Sequence, residues 1–129
     1  MPQTQKEIIY KDLSYQLGGI FYAVHDTLGR YTREKQYGDL LEKILKEKGI
    51  KYEREKLISK TGEDINRADF IIENKIILEL KTKLFITRED YYQTKRYLEF
   101  SDLFLGIIIN FRQKYLNPKR IINNKYSKQ

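Results

Sequence analysis

The feature that most limits how this chain can fold is a pair of short apolar segments, Arg67–Glu73 and Ile76–Thr82, set on either side of the polar dipeptide Asn74-Lys75. Both are of strand length and rich in β-branched residues, and so short a connection joins only antiparallel neighbours, which predicts a β-hairpin. A lone hairpin is marginal in water, so the rest of the chain must extend the sheet and cover it.

The remaining patterns supply that cover. From Asp12 to Leu28, apolar residues recur at Leu13, Leu17, Ile20, Val24 and Leu28, one face of an amphipathic helix, with Gly29 as its stop. A second helix is predicted from about Thr32 to Lys48, with Tyr37, Leu41, Ile44 and Leu45 inward and Gly49 ending it. Ile50–Ile58 reads as a charged strand and Ser59–Asp64 as a turn. Thr87 with Asp90 three positions on forms a variant capping box that opens a third helix running to about Phe100. Leu103–Asn110 is almost wholly apolar, fitting a strand covered on both faces, and Lys119–Ile122 adds a short last strand.

The expected class is therefore α/β (mixed α+β), in the order α-α-β-β-β-α-β-β. The 129 residues form one domain, with flexible ends at 1–9 and 123–129 and no internal repeat. Most tyrosines, including Tyr10, Tyr15, Tyr22, Tyr31, Tyr91 and Tyr92, read as half-buried packing residues, since no spacing among them makes a stacking platform.

Composition narrows the chemistry. There is no cysteine and a single histidine, His25, which excludes disulfides, thiolate zinc sites and a multi-histidine metal centre; any metal must be held by carboxylates. His25, at the end of an amphipathic helix, reads as structural. The first residues lack the apolar stretch of a signal peptide and no apolar run reaches membrane-spanning length, so a soluble, intracellular, cytoplasmic protein is expected. A net charge of +7 points to a polyanionic partner, although a chain rich in Ile, Asn, Tyr and Lys also reflects AT-rich coding, and charge alone does not decide the matter.

Charges inside the hairpin are more telling. Glu79 and Lys81 interrupt an apolar strand and fall on one face by alternation, while Leu78 and Leu80 take the other. Asp69 interrupts the partner strand. A two-residue loop would pair Phe70 with Glu79, whereas the three-residue loop Glu73-Asn74-Lys75 pairs Asp69 with Glu79. In the second register the two carboxylates repel unless a proton or a cation intervenes, and oxygen donors of this kind favour Mg²⁺ or Mn²⁺. Lys81 could then orient or deprotonate an attacking water and stabilise charge developing on a phosphate. The competing reading is a solvated ion-pair stripe, and a second Glu-x-Lys at Glu73–Lys75 shows how little the motif means alone.

Glu34 shares the helical face of Tyr37, Leu41 and Ile44, which would aim it towards the core side, although a carboxylate in a first helical turn also suits the helix dipole. Gln93 and Tyr97 stand four apart and share a face of the third helix.

Taken together, Glu34, Asp69, Glu79-Leu80-Lys81 and Gln93-x-x-x-Tyr97 resemble the PD-(D/E)xK nuclease superfamily, and more closely its compact Gly-x-x-Glu-x-x-Tyr family. The match runs from about Leu17 to Asn110 and includes His25–Gly29, Glu34–Tyr37, Arg67–Phe70, Ile77–Lys81 and Gly106–Phe111. The resemblance implies a restriction-endonuclease-like core with a central mixed sheet, Mg²⁺ dependence and cleavage of nucleic acid, DNA before RNA. It implies metal binding by Glu34, Asp69, Glu79 and the Leu80 backbone carbonyl, catalysis by Lys81, and substrate or supporting roles for Gln93, Tyr97 and Tyr37. Tyr31 stands where the family motif has glycine, which bears on how Glu34 approaches the site; Ala68, in place of proline before Asp69, is neutral. Three readings follow: a metal-dependent nuclease, a non-catalytic nucleic-acid- or partner-binding module on the same scaffold, and a structural accessory protein. A homodimer or an accessory partner would supply substrate selection to so small a core.

Overall fold

The computed structural model describes residues 10–61 and 64–127. The elements are α1 (Lys11–Leu28), α2 (Glu34–Glu47), β1 (Tyr52–Thr61), β2 (Asp64–Ile72), β3 (Ile76–Lys81), α3 (Arg88–Ser101), β4 (Leu105–Asn110) and β5 (Lys119–Ile122), in the predicted order. The five strands lie side by side in chain order. Neighbours are antiparallel except β3 and β4, which run parallel because α3 carries the chain back across the sheet between them.

Alternation on the central strands builds two cores. Ile76, Leu78, Leu80, Leu105, Ile107 and Ile109 face α1 and α2, where Leu17, Ile20, Phe21, Val24, Tyr37, Leu41 and Leu45 close over them. Ile71, Ile77, Ile108 and Ile121 face the other way and are covered by Tyr97 and Leu98 of α3. Sandwiching between the two helical layers explains why β4 is buried at every position and apolar at nearly all of them.

Local signals act as expected at several ends. Gly29 terminates α1 with φ 74°, and Thr87 and Asp90 bond reciprocally at the start of α3. α2 begins at Glu34, two residues later than the pattern predicted, because Arg33 is extended at ψ 151° and acts as the N-cap, its N–H satisfied by the Gln36 side chain and that of Thr32 by the Tyr37 hydroxyl.

Three expectations are corrected. Ser59–Thr61 continues β1 rather than turning, since the ladder with β2 runs on through Thr61 and Asp64 after a one-residue shift between Leu57 and Ser59; residues 62 and 63 of the expected turn lie outside the described residues. The chain from Asn123 to Ser127 is docked, not frayed: buried Asn123 donates to the Leu98 and Leu103 carbonyls, Tyr126 stacks on Phe104 at 5.0 Å, and Ser127 N–H donates to Asp102. The expected flexibility of residues 1–9 and 128–129 falls outside the described residues. Finally, Tyr15, Tyr22, Tyr31, Tyr91 and Tyr92 are exposed, not half-buried. No helix among the described residues is long and apolar enough to cross a membrane.

Candidate active site

The hairpin adopts the longer of the two loops. Ile72 pairs with Ile76, Ile71 with Ile77 and Phe70 with Leu78, leaving Glu73-Asn74-Lys75 as the connection. Glu73 and Asn74 take left-handed φ of 52° and 55°, and Lys75 N–H closes onto the Ile72 carbonyl at 2.9 Å. The next position in this register sets Asp69 against Glu79.

There the backbone ladder gives way to side chains. Asp69 N–H donates to Glu79 Oε2 at 2.7 Å, and Leu80 N–H donates to Asp69 Oδ2 at 2.7 Å, so each carboxylate reaches across to the other strand. On the other side of β2 the ladder also skips this position, pairing Arg54 with Phe70 and then Lys56 with Ala68, while the intervening Glu55 sits at φ 52°. β2 is thus opened on both edges at Asp69, which exposes its carboxylate to a cleft of about 190 Å³ lined by Glu34, Gly38, Arg54, Glu55, Asp69 and Leu80.

The electrostatics follow from crowding acids in a dry place. Glu79 is only 4 % exposed; burial, then the charge on Asp69, pushes its carboxyl up to about 8. Asp69 is also raised by burial, against the opposing pull of the Leu80 N–H and Lys81. Burial and then Asp69 raise Glu34, and burial followed by Glu79 and Asp69 raises the Tyr97 phenol. These mutual effects place Glu34, Asp69, Glu79, Lys81 and Tyr97 in one neighbourhood.

Each predicted site residue now has a position. Glu34 does not turn into the core; it is an exposed residue at the start of α2 that lines the cleft with Asp69. Lys81 lies 3.7 Å from Asp90, which also accepts from Lys83 at 2.7 Å while capping α3. Tyr97 is buried against the Ile77 layer, and half-buried Gln93 forms no described bond to the cleft. Tyr37 is fully buried, stacks on Phe111 at 4.4 Å and donates its hydroxyl to the Gly29 carbonyl, a supporting position that fixes the α1–α2 junction from which Glu34 projects. His25 Nε2 is hydrogen-bonded to the Gln113 carbonyl at 2.8 Å, tying α1 to the β4–β5 connection. Tyr31 brings no backbone strain in place of glycine, since it is not among the residues with positive φ.

Sequence reasoning missed three residues. Asp90 was legible only as a cap, and Glu55 looked like one more charge on a polar strand. Asn110 has its Oδ1 accepting from Lys83 and Arg112 N–H groups and its Nδ2 donating to the Lys83 carbonyl, tying together the chain after β3 and after β4. Its one signal was a polar residue ending an apolar run.

The donor set fits a hard divalent cation in one respect and limits it in another. Asp69 and Glu79 supply oxygen donors whose repulsion a cation would relieve. Among the described residues no three acidic or histidine side chains converge closely enough to form a protein cage; one or two carboxylates, with water and phosphate oxygens, are the usual holding set for Mg²⁺.

No curated protein and no solved structure shows a significant match to the chain. Residues 11–122, spanning all eight elements, match the PD-(D/E)XK nuclease superfamily, whose domains are nuclease-like and typically use divalent metals. The chain belongs to the PD-(D/E)XK nuclease superfamily.

Proposed function

We propose that this protein is a Mg²⁺- or Mn²⁺-dependent nuclease of the Gly-x-x-Glu-x-x-Tyr branch that hydrolyses phosphodiester bonds in DNA, with Asp69, Glu79, Lys81 and Glu34 as its working residues. The observation that carries this reading is the cross-strand placement of half-buried Asp69 and buried Glu79, each bonded to the other's strand, with the charge of Asp69 adding to burial in raising the proton affinity of Glu79. Such a pair is a stability cost unless it serves a cation.

Asp69 and Glu79 would hold the cation, with the Leu80 carbonyl and Glu34 beside them. When bound, it supplies Lewis-acid polarisation of the phosphodiester and neutralises the charge of the pair. Lys81 shares the Glu79 face of β3 and presents its ammonium where charge develops on the phosphate. Asp90 holds that ammonium in place from α3. Tyr97 lies in the same electrostatic neighbourhood, where its phenol would support the pair, and Gln93, one helical turn away, would meet the substrate.

The test is cleavage of labelled single-stranded, duplex and supercoiled DNA and of RNA, with Mg²⁺, Mn²⁺ or EDTA. Asp69→Ala and Glu79→Ala should each lower the rate by roughly 10³-fold or more while circular dichroism stays native, by comparison with the loss of other electrostatic catalytic groups. Absence of cleavage with either metal, together with no calorimetric Mg²⁺ binding, overturns the reading. Salt-sensitive nucleic-acid binding that survives both substitutions without cleavage would select the non-catalytic module instead.

A further inference from the structure

Two loops that are far apart in sequence meet beside the first turn of α2. The α1–α2 connection and the β4–β5 connection are stitched by Arg30 Nε donating to the Arg112 carbonyl at 2.9 Å, by the His25–Gln113 bond, and by the Tyr37–Phe111 stack. Residues 29–33 and 111–116 carry Arg30, Arg33, Arg112 and Lys114 and no acidic residue. None of these four cations takes part in an ion pair among the described residues, unlike Arg54, Lys81 and Lys83.

At the centre stands Tyr31, which is 74 % exposed. The guanidinium carbons of Arg30 and Arg112 each lie 5.1 Å from its ring centroid, within cation–π range, so the ring is braced although it faces solvent. Tyr115, 78 % exposed with Lys114 Nζ 5.5 Å from its ring, repeats the arrangement on the β4–β5 loop. Tyr31 and Glu34 are three positions apart, which keeps their Cα atoms within roughly 11 Å.

We infer that these paired loops form a docking surface for unpaired nucleic acid, with Tyr31 as a base-stacking platform and Arg30, Arg112 and Lys114 as its phosphate contacts. Exposed aromatic rings interleaved with basic side chains that no carboxylate neutralises suit a single strand, because every base has a π-face to stack and every linkage carries a charge. A duplex hides its base faces and would use only the cations. This assigns the site a single-stranded or locally opened substrate, and it rests on the nuclease reading only for what happens after binding.

Fluorescence anisotropy of a labelled mixed-sequence single strand, in EDTA so that nothing is cut, separates the two ideas. Tyr31→Ala should weaken single-strand binding by roughly 5- to 100-fold, the usual loss for one stacked base, with less than about twofold change for a duplex of the same length. Tyr31→Phe and Tyr31→Trp should retain affinity, because they keep the ring, and Arg112→Ala should weaken both substrates and flatten the salt dependence. Wild-type protein that fails to bind the single strand, or a Tyr31→Ala protein that binds it as well as wild type, overturns the proposal, as does equal loss on single strand and duplex. Because binding is read without metal, a chain that binds through Tyr31 yet cuts nothing refutes only the nuclease, and one that cuts normally with Ala at 31 refutes only the platform.

Discussion

Replacing Glu79 by Gln should stabilise the metal-free protein, and by more as the pH rises. The carboxyl of Glu79 moves from an ordinary 4.5 to about 8 on folding, through burial and then the charge of Asp69. The folded state therefore binds a proton that the unfolded chain has released, and stability falls with rising pH through the window between those values. The contribution is complete below about pH 4.5 and lost as the pH passes about 8. Each pH unit inside the window is worth about 1.4 kcal/mol, so wild type should lose about 2–3 kcal/mol relative to Glu79→Gln between about pH 5.5 and 7.5. Urea denaturation in EDTA, followed by far-ultraviolet circular dichroism because the chain has no tryptophan, measures this directly. The comparison removes any constant effect of the amide, since only the change with pH is used. Saturating Mg²⁺ should recover most of the wild-type deficit and leave Glu79→Gln nearly unmoved. Parallel pH profiles for the two proteins would show that Glu79 carries no raised proton affinity, and the argument for a strained carboxylate pair would fall.

Other residues give sharper structural tests. Asp90→Asn should cost about 2 kcal/mol near pH 7: although burial opposes it, bonds from Lys83 and Thr87 hold the carboxyl down at about 2, so the loss should fade as the pH drops from about 4 towards 2; if Asp90 positions Lys81, the same variant should lower turnover more than substrate affinity. A Cβ at Gly106 would meet Thr94 Cγ2 at 2.8 Å and Leu98 Cδ1 at 3.2 Å, so Gly106→Ala should cost about 1–3 kcal/mol in thermal or urea unfolding by prising α3 from β4. Asn110→Ala removes three hydrogen bonds made by a buried side chain and should destabilise by about 2–4 kcal/mol, with faster hydrogen exchange at the Lys83 and Arg112 amides.

Much of the fold was legible because its signals are local. Gly29 ends α1 and Thr87 opens α3 through groups within a few residues, and the nearly continuous apolar run of β4 fits a strand covered on both faces. The tail was misread because a polar segment normally prefers water; Asn123 is buried because its amide finds two carbonyls contributed by the end of α3 and the chain beyond it. Glu34 was misread for a similar reason. Helical periodicity puts it on the Tyr37 face, but at the first turn that face has run past the core and looks into the cleft.

By itself the sequence determined the element order, restricted the side chains that could hold any metal to carboxylates, and nominated Asp69, Glu79, Lys81 and Glu34 as candidates, since periodicity, composition and motif spacing are properties of a string. It left open which of two hairpin registers the chain adopts, because a loop of two or three residues changes nothing in the pattern of either strand. Only the tertiary structure decided that Glu73-Asn74-Lys75 forms the loop, that β2 opens on both edges at Asp69, and that Arg30 and Arg112, 82 positions apart, brace the ring of Tyr31. Each of these depends on which surfaces meet when the sheet is packed between its helices, and the energy that selects them exists only once they have met.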